Sequence, residues 1–354
     1  MIMEELFDWE VPALDGTLKK NIEDIWDKIA IPLDSLGKMQ HIITQIGCIQ
    51  NTEHVSIDKK VILTFCGDNG VVEEGVTQTG REVTTIVAEN MGRQESSVCR
   101  MAKHIGAKVI PVDVGICTDK KIDGVLSKKV CKGTKNFMKE PALSKEETLQ
   151  AMMIGMELVK ECKEQGYELL GIGEMGIGNT TTSSVIASAI LALPAARVTG
   201  RGAGLNDEGL QKKIKVVEQA VIKYDLKEKD AFTILSYIGG TEIAAMTGAC
   251  LGAAKYQMPI VLDGVISQVA ALIAEKIKCG CNKYMISSHG SKEPASLHIL
   301  DALGLDPVID GKLALGEGTG AVMMMALLDL AMEIYSGMNA FADLQIDAYE
   351  RFEK

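Results

Sequence analysis

The chain has 354 residues, a formal net charge of −11, a hydrophobic content of 47 % and only 4 % aromatic residues. That length allows about two domains, or one large α/β domain with an appendage. The acidic balance excludes non-specific nucleic-acid binding, which needs a basic face.

The nine cysteines form no framework. Only Cys279 and Cys281 are closely spaced, and no second pair completes a zinc site. An odd count in a long chain fits reduced thiols in a cytoplasmic protein. The first ten residues, MIMEELFDWE, are acidic and lack the basic and apolar regions of a secretory signal. No apolar run reaches the ~18 residues of a membrane span without interruption by charge or glycine.

In chain order, residues 1–50 read as mostly helical. Asp15-Gly16-Thr17 caps a stretch with Ile22, Ile25, Trp26 and Ile29 in helical period. A second helix carries Met39, Ile42, Ile43 and Ile46. Residues 61–66, VILTFC, are apolar without alternation, as expected of a parallel strand covered on both faces. The strand stops at Gly67-Asp68-Asn69-Gly70. A polar loop fills 71–81, and helix resumes at Glu82. Residues 108–115 repeat the strand pattern with Asp113 near the end, where a turn role and a site role stand level. The lysine-rich 117–147 reads as a solvated loop. Glu146 to Lys160 reads as a helix with methionines inward.

Residues 171–182, GIGEMGIGNTTT, join a short apolar strand to a small-residue helix. A glycine-rich turn that opens a helix presents free N–H groups and the positive end of the helix dipole. We read it as an anion cradle, most naturally for phosphate, rather than a merely tight turn. It matches neither the dinucleotide nor the P-loop pattern. Further glycine-to-helix junctions follow at 199–209 and 236–242. Residues 259–264 end a strand in Asp263-Gly264, 284–291 form the last strand-like run with His289 at its end, and 315–320 place Glu317 between two glycines before a long apolar helix. The tail, 336–354, is expected to be helical.

About six strands alternating with helices predict an α/β fold: a Rossmann-like, mainly parallel sheet with helices on both faces. The N-terminal segment 1–55 and the C-terminal segment 336–354 are expected to form a small helical domain beside a catalytic domain over 56–335. The acids Asp68, Asp113, Glu174 and Asp263 sit at strand ends; Glu317 sits between two glycines at a helix start, where the dipole is expected to keep a carboxylate ionised, as a base. For Glu317 a site role is preferred to capping. No HExxH, Cys/His ligand set or serine elbow is present, so neither metal nor cofactor is expected. The residues alone describe an enzyme that holds a phosphorylated small molecule and uses a carboxylate base: a phosphoryl, glycosyl or phosphoribosyl transferase.

Seven segments, GDNGVVEEGV, GEMGIGNTT, GRGAGLNDEGLQKK, GGTEIAAMTGACLGAA, PIVLDGVIS, SHGSKEPA and LGEGTGA, resemble in order the nicotinate-nucleotide:dimethylbenzimidazole phosphoribosyltransferase family. PLDSLGKMQ and Gly133-Thr134-Lys135-Asn136 add to the likeness. The resemblance implies transfer of phosphoribose from nicotinate mononucleotide to a benzimidazole, purine or phenolic base in cobamide assembly, by a metal-free homodimer that binds neither nucleic acid nor membrane. It implies Glu317 as general base and Glu174 as its partner at the ribose. It assigns Gly176, Gly178, Asn179, Thr180 and Ser291 to the phosphate. Gly202, Ala203, Asp263 and Lys213 fall to the nicotinate and ribose, and Thr77, Thr79 and Gly80 to the base pocket. Better-known members carry Asp-His-Gly where this chain has Asp68-Asn69-Gly70, and Ser-x-Tyr-Pro where it has Thr77-Gln78-Thr79-Gly80. A non-catalytic nucleotide-binding homologue and another pentosyltransferase are the competing expectations.

Overall fold

A computed structural model describes residues 7–352. In chain order the elements are α1 (Gly16–Lys28), α2 (Lys38–Gln50), β1 (Lys60–Gly67), α3 (Glu82–Gly92), α4 (Ser97–His104), β2 (Lys108–Gly115), β3 (Leu126–Ser127), α5 (Lys145–Glu164), β4 (Leu169–Met175) and α6 (Asn179–Ile190). There follow α7 (Ala195–Val198), α8 (Asp207–Lys223), α9 (Ala231–Ile238), α10 (Thr241–Lys255), β5 (Ile260–Leu262), α11 (Val265–Ile277), β6 (Met285–Ser287), α12 (Ala295–Leu303) and α13 (Thr319–Gly337).

The six strands form one sheet in the order β3-β2-β1-β4-β5-β6, with every pairing parallel. The chain winds outward from β1 to β3, returns to β4 on the other side of β1, and winds outward again. Beside β1 and β4 the crossovers diverge to opposite sides, which opens a crevice at the carboxyl ends of these two strands.

All eight residues of β1 are buried, which explains why its sequence shows no polar alternation. Its side chains still divide by period two. Val61, Leu63 and Phe65 join the core under α5, α6, α10 and α11. Ile62 and Cys66 join the core under α3, α4 and α13. Burial runs unbroken from Thr241 to Ala254 of α10, so this helix carries almost no polar side chain beyond its first turn. It crosses α5 at backbone contact. A Cβ on Gly155 would lie 1.9 Å from the Ala245 carbonyl oxygen, and one on Gly248 would lie 1.8 Å from that of Met152.

Helices α1 and α2 meet the C-terminal segment. Trp26 packs against Tyr335 with ring centroids 4.9 Å apart, Ile29 bridges Ala340 antiparallel, and Arg351 pairs with Asp27 and Asp34. Ile22, Trp26, Ile43 and Ile46 share one core with Ile62 and Met325, and α2 packs on α13, which in turn lies on β4 and β5. Residues 1–6, Glu353 and Lys354, at the two ends of the expected small domain, lie outside the described residues. The expected C-terminal helix is corrected: α13 ends at Gly337, and the chain then turns over 341–345. The tail is fastened to α1 instead of winding on itself: Phe341 N–H donates to the Lys28 carbonyl, the Asn339 carbonyl accepts from Ala30 N–H, and the remaining backbone bonds close local turns. Helix α13 is long and apolar enough by composition to cross a membrane. Here one side packs on the sheet, and its Asp329 pairs with the buried Lys60 of β1 at 2.9 Å.

Gly248→Ala should overpack the α5–α10 crossing and destabilise the chain by about 2–3 kcal/mol. Urea unfolding checks this as a lowered midpoint at unchanged slope.

Candidate functional site

A cavity of about 250 Å³ opens at the carboxyl ends of β4, β5 and β6. One wall is the turn between β4 and α6. Gly178 precedes α6 with φ of +98°. A Cβ there would also press on Val72 at 2.9 Å and Asn69 at 3.2 Å, and one on Gly176 would lie 2.5 Å from the Gly67 carbonyl oxygen. Glycine is thus required twice over, for conformation and for space. Gly176, Gly178, Asn179 and Thr180 all face the cavity, and α6 points its N-terminus at it, the geometry of an anion site. Behind them, Asn69 accepts from the Thr182 hydroxyl at 2.7 Å and donates to the buried Glu242 at 2.7 Å. Burial pushes Glu242 up to about 7.

Glu174, next to last in β4, faces the cavity and accepts from the Asn179 amide. Its pKa is pushed up to about 8, first by burial and then by the Asp263 charge, against the Asn179 hydrogen bond. Desolvation and neighbouring carboxylates outweigh the helix, and the group is protonated at neutral pH.

Asp263 follows β5 and is buried. Its two oxygens accept from Gly318 N–H at 2.9 Å and Gly320 N–H at 2.7 Å, so it fastens the start of α13 to the sheet. His289, at the end of β6, stands 3.8 Å from the same carboxylate and faces the cavity with Ser291.

Glu317 lies in a run of left-handed backbone, Gly316 at φ +81°, Glu317 at +63° and Gly318 at +100°. The run presses on β4, where a Cβ on Gly173 would lie 2.3 Å from the Glu317 carbonyl oxygen. Thr64 donates to that oxygen at 2.9 Å. The side chain leaves the cavity. Its Oε2 accepts from Val98 N–H at 3.0 Å, at the start of α4. Gly316 and Thr319 line the cavity, but Glu317 does not. The site preference over capping is thus met by a third arrangement, in which Glu317 caps a neighbouring helix while its backbone borders the site. Its charge still reaches Glu174.

Lys213 is fully buried and donates to the Thr180 hydroxyl at 2.8 Å. It stands behind the wall rather than in it, and burial lowers its pKa to about 8. Gly202 and Ala203 line the cavity. Thr77 and Thr79 line it as well, with the Thr77 hydroxyl bonded to the Thr79 carbonyl at 2.8 Å. Gly80 stands just beyond, against Glu82. Gln78 lines the cavity and donates to the Gly204 carbonyl.

Two strand-end acids fall outside. Asp68 accepts from Cys117 N–H at 2.7 Å, and Asp113 accepts from Gly115 and Ile116 N–H at 3.1 and 2.9 Å. Asp113 is a turn residue. Motif reading passed over Gln78, Thr319 and Glu293; the last stands inside SHGSKEPA, and its acidic side chain beside a glycine-rich segment was the available signal. Among the described residues no group of three or more His, Cys, Asp or Glu is placed to hold a metal ion.

Residues 11–346 match a family described as phosphoribosyltransferase. A nicotinate-nucleotide–dimethylbenzimidazole phosphoribosyltransferase of Ruminiclostridium cellulolyticum is 40 % identical over 347 residues, covering 96 % of this chain and 99 % of that one. One of the same name from Clostridioides difficile strain 630 is 39 % identical, covering 98 % and 99 %. The crystal structure of CobT from Thermus thermophilus superposes with a TM-score of 0.88 at 32 % identity, covering 94 % of this chain and 99 % of that chain.

A carboxyl with a raised folded-state pKa costs stability once ionised. The penalty is absent below the ordinary value of 4.5 and complete above about 8. Glu174→Gln should therefore gain thermal stability over wild type progressively between pH 5 and pH 8, and little below pH 5. Paired melting curves across that range check the sign.

Proposed function

The chain belongs to the phosphoribosyltransferase family that it matches over residues 11–346, and from that membership we propose that it transfers phosphoribose from nicotinate mononucleotide to a lower-ligand base. Nicotinate leaves, and an α-ribazole-type 5′-phosphate forms for the nucleotide loop of a cobamide. The observation that carries this reading is one cavity holding both a glycine-cradled helix N-terminus and the carboxyl groups of Glu174 and Asp263.

In this reading the phosphate rests on Gly176, Gly178, Asn179 and Thr180, with Ser291 opposite. Lys213 supports it through the Thr180 hydroxyl. Gly202 and Ala203 turn backbone N–H groups toward the nicotinate side. Breaking the bond from ribose to a cationic pyridine ring develops oxocarbenium charge at the anomeric carbon. Carboxylates fixed nearby stabilise that charge without having to reorganise. The cationic pyridine ring of the bound substrate favours the ionised form of Glu174, so this carboxyl gives its proton to solvent as the substrate enters and meets the growing ribose charge as an anion. Inversion needs a single displacement and no covalent nucleophile. Glu317 takes the proton from the attacking base after rotating off Val98 N–H; its backbone already borders the cavity.

The base enters beside Thr77, Thr79 and Gly80. These residues replace the Ser-x-Tyr-Pro of better-known members, so this pocket selects the acceptor, a benzimidazole, a purine or a phenol, by contacts of its own. Of the described residues, 7–55 and 336–352 make up the small domain, whose helices are α1 and α2, and 56–335 the catalytic one. The protein acts in the cytoplasm as a homodimer. Met323, Leu327 and Leu330 support a partner copy, being exposed on one side of α13.

Incubation with nicotinate mononucleotide and 5,6-dimethylbenzimidazole should release nicotinate, measured by chromatography; no release with any base of the three classes would refute the reading. Glu317→Gln should lower kcat about 10²-fold, the scale of general-base catalysis, while binding nicotinate mononucleotide with unchanged Kd. Single-turnover kinetics with calorimetric titration separate the two effects.

A further inference from the structure

The N–H of Gly202, on the nucleotide side of the cavity, is not open to solvent. It donates to Oε1 of Glu293 at 2.9 Å, and both residues line the same cavity. A carboxylate therefore stands where an anionic substrate group would be received. The neighbouring backbone makes room for it, since a Cβ on Gly200 would lie 2.3 Å from Glu293 Oε2. On the far side of Gly202 is the buried Lys213 ammonium, 3.3 Å from where a Gly202 Cβ would sit. That ammonium feels the Glu293 charge.

The hold on Glu293 is slight. No ion pair within 4 Å involves it among the described residues. By contrast its backbone neighbours are tied: Ser291 N–H donates to the Ser296 hydroxyl at 2.9 Å, and Lys292 N–H donates to the Leu313 carbonyl at 3.1 Å. The main chain is fixed and the side chain is free to rotate away.

We propose that Glu293 is an internal competitor for the Gly202 N–H, displaced by the anionic group of the substrate, and so sets the affinity and charge preference of that end of the cavity. The inference rests on the reading of this cavity as a mononucleotide site. A substrate anion gains the Gly202 N–H and the field of Lys213 only by moving a like charge out of contact. A neutral amide meets no such repulsion and can donate to the carboxylate. The displacing anion is either a phosphate or a ring carboxylate, and both would use the same N–H.

The test is calorimetric binding of three probes to full-length wild type, Glu293→Gln and Glu293→Ala. Nicotinate mononucleotide carries both anions, nicotinamide mononucleotide only the phosphate, and nicotinate riboside only the carboxylate. Gln keeps an acceptor for Gly202 N–H and removes the charge. Glu293→Gln should bind nicotinate mononucleotide about fivefold tighter, the effect of one like charge removed at contact distance in a partly solvated site. A gain shared with nicotinamide mononucleotide identifies the phosphate as the displacing group, and a gain shared with nicotinate riboside identifies the carboxylate. Glu293→Ala, which also removes the acceptor, should show the same direction. Equal or weaker binding of nicotinate mononucleotide by both variants, at wild-type melting temperature, overturns the proposal and leaves Glu293 as a brace for the 200–204 loop. Wild type that binds none of the probes overturns the mononucleotide reading and this inference with it.

Discussion

The two hydrogen bonds from Gly318 and Gly320 to the Asp263 carboxylate hold the site together. Helix α13 comes from the end of the chain, far from the sheet strands it crosses. Its N-terminus could be capped by its own residues, as most helices are. Instead the cap comes from the end of β5. This lays the Gly316-Glu317-Gly318 turn on β4 and puts the last motif of the sequence against Gly173, just before the glycine turn that opens α6. Three successive left-handed residues are the conformational cost. Two are glycine, which bears it easily, and only Glu317 is strained.

A second constraint is charge. Glu174 stands among Asp263, Glu242 and Glu317, and burial first, then the charges of these neighbours, pushes its pKa up. Asp263 receives two N–H groups. Glu174 receives one amide, which does not offset its burial and the charges of its neighbours, so it holds a proton at neutral pH. A site built this way is poised for a cation. Positive charge entering the cavity relieves a repulsion already present, which a solvated pair of acids could not supply.

Much of this was legible in the sequence. Uninterrupted apolar strands, such as residues 61–66, announced a parallel sheet buried on both faces. Strand-to-glycine-to-helix junctions, such as 171–182, marked where a ligand would lie. Seven ordered motifs carried the family. What stayed hidden was direction. The sequence contains Glu317 between glycines but not the Val98 N–H that holds its side chain. It contains Asp68 and Asp113 in the same strand-end setting as Asp263, but nothing local says that only the last faces the cavity. Lys213 is in the right motif yet stands one layer behind the wall. Glu293 was passed over because its importance depends on Gly200 and Gly202, about ninety residues earlier. The C-terminal tail was misread because polar composition does not separate a solvated helix from a turn fastened to α1.

The Gln78 side chain touches the Gly204 carbonyl, and that contact joins two loops that would otherwise be independent. Both line the cavity, and in the proposed reading one borders the acceptor and the other the donor nucleotide. Residues chosen to suit a different aromatic acceptor therefore shift the loop that holds the departing ring. In such an enzyme, acceptor preference and donor affinity evolve together, and chimaeras that exchange one loop without the other would inherit a seam in the middle of the site.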